Sequence, residues 1–316
     1  MSQSEFEFIQ NIKNKYLLSE VGDDCAVLPK DGKTDLLVTA DMLVEDIDFR
    51  LDWTTPEFQG HKALAVSLSD IAAMGGKPVW SLLSMGVPET LWKTDFVDRF
   101  YEGWFALARN INVELVGGDV SRTPDKVVID SIVGGEIEKG RAILRSTAKP
   151  GDAIFVTGTL GGAAAGLRLV ENGARIGKGN SDDLLLKQLQ PQPQVKYANL
   201  LQSLDLATSM IDLSDGLSSD LQHICNASVV GASLRSESLP INRDLSIHFA
   251  GQECLDMALN GGEDFELLFT VSKKNISHPN LAGFTHIGEV TANAGIIELS
   301  IDGEPQILQP KGYRHF

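Results

Sequence analysis

Glu138–Gly162, EKGRAILRSTAKPGDAIFVTGTLGG, divides the chain and then restarts it. Up to Gly151 it gathers Lys139, Gly140, Lys149, Pro150 and Gly151, a turn-rich break between ordered segments. Beyond the break, Ala153–Thr157 is a short apolar strand, Gly158–Gly162 a glycine turn, and helical spacing runs through Val170. Two domains are therefore expected, 1–138 and 150–316. A chain of 316 residues also exceeds the size, roughly 250–300 residues, at which one core stops growing.

Working outward, the hydrophobic periodicity predicts helices at Glu5–Lys13, Pro56–Met74 and Asp95–Asn110 in the first half. Strands are expected at Asp35–Thr39, Val79–Gly86, Glu114–Val116 and Val127–Val133. The second half reads as helices near Asp183–Leu189, Val195–Leu204 and Leu217–Ala227. Its strands are Ser209–Ile211, Glu266–Val271, Thr285–Val290 and Ile296–Ile301, with a mixed segment before Ala258. The glycine-rich stretch Asn172–Asn180 reads as a flexible surface loop. No fixed-period repeat is present, and the alternation of elements indicates an α/β (α+β) fold.

Hydrophobic residues at 43% and charged residues at 22% exclude a largely disordered chain. No apolar run approaches the ~20 residues of a membrane span, and MSQSEFEFIQ at the start lacks a basic n-region, so a cytoplasmic location is expected. Three cysteines, Cys25, Cys225 and Cys254, without CxxC spacing suggest reduced thiols. The formal charge of −16 repels nucleic acid and anionic membranes.

What matters is where the acids fall. Asp41 follows LLVTA, Asp119 follows VELVGG and Asp212 follows SMI, each placed just past an apolar strand, where open α/β sheets bind ligands. One such Asp is usually a turn residue or helix cap. Asp23-Asp24 after Gly22, Asp215 three residues beyond Asp212, and Glu263-Asp264 after Gly261-Gly262 add to the set. Asp70 interrupts the apolar ALAVSLSDIAAM, where an unpaired carboxylate is costly unless it binds a cation; Lys62 and Lys77 are too far along the helix to be obvious partners. Asp215-Gly216-Leu217 also reads as a helix N-cap.

A site of carboxylates without His/Cys spacing suits Mg²⁺, a hard cation that takes oxygen ligands and keeps substrate phosphates in its shell. No GxxxxGK[ST], HRD or DFG is present, and GTLGG lacks GxGxxG spacing, so it reads as a strand-to-helix packing turn. Metal then has to neutralise the polyphosphate that a lysine neutralises elsewhere.

Seven segments in order resemble the thiamine-monophosphate kinases: GDDCAVL (Gly22–Leu28), TADMLVEDIDF (Thr39–Phe49), SLSDIAAMGGKP (Ser67–Pro78), GGD (Gly117–Asp119), DLSDGLSSDL (Asp212–Leu221), NGGEDFELL (Asn260–Leu268) and the terminal GYRHF. The resemblance implies a two-domain fold shared with aminoimidazole ribonucleotide synthetase. It further implies a homodimer whose N-terminal sheets form a barrel across the interface, and a C-terminal α/β domain that completes the site. The implied reaction is transfer of the ATP γ-phosphoryl group to thiamine monophosphate, the last step to thiamine diphosphate. By motif, Asp23 or Asp24, with Thr39, Asp41, Asp70, Asp119, Asp212 and Asp215, would become the Mg²⁺ set, binding several ions. Gly118, Asp119, Arg145 and Ser214 would contact ATP; Asp48, Glu263 and Tyr313 would face the substrate; Asp119, Asp212 and Arg145 would carry catalysis. The chain departs from the family at Ala40, where a hydroxyl residue is common, and at Asp48, where His is common.

Rival readings inside the superfamily are disfavoured. A selenophosphate synthetase would be expected to carry a reactive Cys near its N-terminus, and a hydrogenase-maturation relative a C-terminal Cys, whereas this chain ends GYRHF. GDDCAVL and NGGEDFELL also match the kinase better than aminoimidazole ribonucleotide synthetase. The rival of another class is a non-catalytic protein that binds Mg-nucleotide or buffers metal.

Overall fold

Residues alternate in accessibility along Thr34–Val44: Asp35, Leu37, Thr39 and Leu43 turn inward while Ala40 and Met42 face out. That period of two is a strand with one covered face. The computed structural model describes residues 5–179 and 181–313, and of these Glu5 and Phe6 in backbone only. Asn180, in the expected surface loop, and Arg314–Phe316, the end of GYRHF, lie outside the described residues.

The first half runs α1 (Glu5–Tyr16), β1 (Ala26–Pro29), β2 (Thr34–Val44), α2 (Pro56–Ala73), β3 (Lys77–Pro88), α3 (Glu89–Trp92), α4 (Phe96–Ile111), β4 (Glu114–Thr123) and β5 (Val128–Glu138). Its five-stranded sheet has the order β1-β2-β5-β3-β4, antiparallel except for the parallel pair β3/β4. Helices α2 and α4 cover one face and bury Leu64, Leu68, Ile71, Phe100 and Trp104 against Leu37, Leu83 and Ile129. They cross closely: a Cβ on Gly60 would stand 1.9 Å from the Phe100 carbonyl oxygen, and one on Gly103 1.8 Å from that of Glu57. Only glycine permits that approach. Thr55 caps α2 by accepting from the Phe58 N–H, and Pro56 opens the helix.

The second half runs β6 (Ala153–Val156), α5 (Gly162–Glu171), α6 (Asp182–Leu189), α7 (Val195–Ser203), β7 (Ala207–Asp212), α8 (Leu217–Ser228), β8 (Gly231–Arg235), α9 (Leu245–His248), α10 (Gly251–Asn260), β9 (Leu267–Val271), β10 (Thr285–Thr291), β11 (Ile297–Ile301) and β12 (Glu304–Ile307). These strands form a mixed seven-stranded sheet, β12-β11-β8-β10-β6-β9-β7. The described fold is the two-sheet α/β arrangement expected. The segment expected to be mixed resolves into β8, α9 and α10, short elements whose apolar runs were too brief to show a period.

One element belongs to both halves. The last turn of α2 puts Ala72 and Ala73 into the apolar cluster of Phe155, Ala198, Leu201, Met210 and Phe269 in the second half. Asp70, one turn earlier, therefore stands at the junction.

Candidate active site

Two strand positions differ from expectation. Asp41 and Asp119 are not past their strands but inside them, since β2 continues to Val44 and β4 to Thr123; only Asp212 ends its strand. The β2 ladder with β5 runs unbroken from Thr34 to Val44, so the Asp41 backbone is held by sheet pairing while its side chain turns to α2. Ser67 on α2 donates to Asp41 at 2.7 Å.

Around this point the carboxylates converge. Oxygens of Asp24, Asp70 and Asp212 lie within 4.8 Å of one another. Thr39 Oγ1 donates to Asp70, and Ser69 Oγ donates to Asp212 at 2.6 Å. Asp212 is 2% exposed. Arg145 brings a guanidinium to them: its Nη2 donates to Asp24 Oδ1 at 2.5 Å, its Nε lies 3.6 Å from Asp23, and its backbone N–H donates to Asp23. Its carbonyl accepts from Ser209 and Ser228, which ties the linker to the second half.

Crowded like charge shows in the acidities. Burial, then the neighbouring Asp24, raises Asp212 to about 7. Burial raises Asp41 to about 6, and burial followed by Asp24 raises Asp23 to about 6. Asp70 is pushed well above the ordinary range by burial, then by Asp41 and Asp212. Burial works against the charge on Arg145, but Asp24 and Asp23 raise its pKa overall. Acids held together against their own repulsion, with hydroxyls among them, match the oxygen donor set of a hard divalent cation.

Other expected residues fall elsewhere. Asp119 is exposed on β4, opposite Ser84 of β3, outside the converging set. Gly118 beside it is needed by packing: a Cβ there would sit 1.9 Å from the Leu83 carbonyl oxygen. Asp215 joins Asp220 and His223 in a second group within 4.8 Å, and Asp220 accepts the N–H groups of Asp215 and Gly216. The cap position of α8 falls on Gly216, which offers no side-chain cap, and Asp220 reaches back from inside the helix to hold the Asp215-Gly216 turn. The glycine turn Gly158–Gly162 meets a protein carboxylate: Asp264 accepts the N–H of Gly161 at 2.6 Å and of Ala163 at 3.0 Å. As the sequence suggested, it is a packing turn.

Next to the acids opens a cleft of about 890 Å³ between the two halves, lined by Asp41, Asp48, Ser214, Glu263 and Tyr313 among others. All three expected substrate residues are in that lining. Asp48 closes its own turn by accepting the Val44 N–H at 2.7 Å. Tyr313 is anchored through its backbone N–H to the Asp215 carbonyl at 3.1 Å. Glu263 adopts a left-handed conformation (φ 66°), a strained one for a residue with a Cβ, and its N–H donates to the Ser214 carbonyl at 2.8 Å.

Sequence reasoning missed three cleft residues. Trp53 lies under the Arg50 guanidinium, 5.1 Å from the ring centroid. Lys62 and Gln188 both bind Glu263. A lysine inside the apolar run of α2 carried the same signal as Asp70, but its partner comes from the far domain and leaves no mark in the spacing.

The chain matches the AIR synthase related protein N-terminal domain over residues 22–137 and the C-terminal domain of the same family over 149–299. It is 41% identical over 303 residues to the thiamine-monophosphate kinase of Escherichia coli K12, covering 94% of this chain and 91% of that protein. Against the thiamine-monophosphate kinase of Bacillus subtilis 168 it is 38% identical over 329 residues, with 99% of each chain covered. The solved structure of AaThiL complexed with AMPPCP and TMP superimposes with a TM-score of 0.89 at 35% identity, covering 99% of this chain and 97% of that one.

Proposed function

The chain belongs to the AIR synthase related family and, within it, to the thiamine-monophosphate kinases, and from that premise we propose how its residues divide the work of phosphorylating thiamine monophosphate with ATP. The observation that carries this reading is the set of convergent acids, Asp24, Asp70 and Asp212, opening beside the interdomain cleft. Both substrates are anions, and such a pocket would repel them unless cations intervene.

Asp24, Asp70 and Asp212, with Thr39, Asp41, Asp23 and, in the second group, Asp215, are the residues proposed to hold Mg²⁺, more than one ion. Bound there, Mg²⁺ supplies charge neutralisation for the phosphates. Asp119, on the exposed β4 with Gly118, is assigned to the nucleotide phosphates, as are Ser214 and Arg145. Arg145 acts as a clamp that can exchange its carboxylates for phosphate oxygens, both being acceptors for a guanidinium fork. Asp48, Glu263 and Tyr313 are assigned to the thiamine moiety. These assignments make 1–138 the nucleotide and metal domain and 150–316 the domain that completes the site.

In the chemical step a terminal phosphate oxygen of thiamine monophosphate attacks the γ-phosphorus in line with the β,γ-bridging oxygen. The new P–O bond forms as the bridging one breaks, and its electron pair leaves on ADP. The acceptor phosphate has a second pKa near ~6, so it is largely ionised at neutral pH and needs no strong base. Positioning and charge neutralisation are then the catalytic contributions of the protein. The ATP pool makes the cytoplasm the proposed place of work.

A homodimer is also proposed. β4 is an edge strand with Val116 and Val120 exposed at 56% and 46%, and Met42 of β2 is 63% exposed. An open apolar sheet surface favours a second copy.

A coupled ADP-release assay with ATP and Mg²⁺, with and without thiamine monophosphate, tests the reading when the product is identified by mass. Thiamine diphosphate is expected only in the complete mixture. Folded, metal-loaded protein that released no ADP with this substrate would overturn it.

A further inference from the structure

A cation already lies on an aromatic ring in the wall of the cleft. The Arg50 guanidinium carbon stands over Trp53, 5.1 Å from the ring centroid, and both residues line the cleft. Of the other aromatic side chains in that lining, Phe49 and Phe265 are buried, which leaves Trp53 and Tyr313 to offer accessible ring surface.

The ring is fixed and its cover is not. Trp53 packs with Phe58 against Val170 of α5 and Leu185 and Leu189 of α6, so the second half of the chain holds it in place. Arg50 has a half-exposed side chain, and its ion pairs, Asp46 at 3.9 Å and Asp52 at 3.4 Å, are exposed as well. Exposed pairs of that kind contribute little. A guanidinium so loosely held exchanges readily for another flat cation.

We propose that Trp53 selects a cationic phosphoryl acceptor by taking its thiazolium ring in a cation–π contact, with Arg50 as the cover that the acceptor displaces. The inference rests on thiamine monophosphate being that acceptor. Its thiazolium, like a guanidinium, is flat and carries a permanent positive charge spread over several atoms, and the negative face of an indole attracts such a cation more strongly than a smaller ring does. Asp41, from the converging acids, lines the same cavity of about 890 Å³, so an acceptor with its phosphate toward the acids and its ring on Trp53 lies within one site. Once displaced, the guanidinium keeps Asp46 and Asp52 as its partners.

The test compares kcat/KM for thiamine monophosphate and for 3-deazathiamine monophosphate, in which a neutral thiophene of the same shape replaces the thiazolium, in wild type, Trp53→Phe, Trp53→Leu and Arg50→Ala. Wild type is expected to prefer the cationic acceptor by about fivefold or more, the scale of a cation–π contact in a partly desolvated site. Trp53→Leu should bring that ratio toward one, and Trp53→Phe should keep part of it. Arg50→Ala, a change at a half-exposed side chain, should tighten calorimetric binding of thiamine monophosphate severalfold by baring the ring, and it tests the inference even where a Trp53 variant fails to fold. A merely structural Trp53 would lower both acceptors equally and leave the ratio intact, which overturns the inference; so does weaker or unchanged binding in Arg50→Ala. No phosphorylation of thiamine monophosphate by wild type would overturn the underlying functional reading, whereas an unchanged ratio in Trp53→Leu overturns this inference alone.

Discussion

At the scale of single residues, Asp212 shows what a carboxylate costs and what it provides. The Ser69 hydroxyl holds it at 2.6 Å, so Asn can take its place without a steric penalty. Asp212→Asn should fold normally and lose about 10²-fold in kcat, on the scale of one lost electrostatic stabiliser. Wild-type turnover in that variant would remove Asp212 from the mechanism. The same residue makes a pH prediction. Its pKa rises from 3.8 to about 7 on folding, so between these values the folded protein holds a proton that the unfolded chain has released. Its contribution therefore favours the fold below the unfolded value and is lost as pH rises toward the folded one. In chelator, thermal midpoints should favour Asp212→Asn over wild type by a margin that widens from about pH 4 to about pH 7; saturating Mg²⁺ should close it. The acids were legible because carboxylates after or within apolar runs need an explanation. Lys62 and Gln188 were not, because what defines them is a partner brought from another domain.

At the scale of elements, the turn before α5 separates packing from phosphate binding. Asp264 is fully engaged with the Gly161 and Ala163 N–H groups, and burial raises it to about 7. Asp264→Ala should destabilise the protein by about 2 kcal/mol, as expected for a buried cap, and leave the KM for ATP unchanged. Retained stability with lost nucleotide affinity would instead make this turn a phosphate site. Long periodic elements such as α2 and α4 were readable because their apolar faces repeat several times. β4 was read too short, as Glu114–Val116, because after Val116 its residues are exposed and carry no alternation. α10 was hidden for a related reason: at ten residues it presents only Cys254, Met257, Ala258 and Leu259 to the interior.

At the scale of the whole molecule, the uncovered sheet predicts assembly. Val116→Lys places a charge on the exposed edge strand, away from the converging acids, and should shift the protein from dimer to monomer in sedimentation velocity. A dimer that persisted would move the interface elsewhere. The two-sheet plan could be read from the turn-rich break near Gly140–Gly151, since a change from one set of elements to the next needs only local signals. How the halves share a cleft could not, because that depends on α2 and on hydrogen bonds such as Ser69 to Asp212 that join distant segments.

The shared helix also sets an order of events at the ribosome. Ala72 and Ala73 emerge long before Phe155, Met210 and Phe269, the residues against which they pack. At synthesis rates of roughly 5–20 residues per second, the interval until Phe269 is made is on the order of 10–40 s. During that time the end of α2, with Asp70 one turn away, has no permanent cover on the nascent chain. Chaperones that hold apolar segments would meet this enzyme at that point, and the last strands of the second sheet would release it.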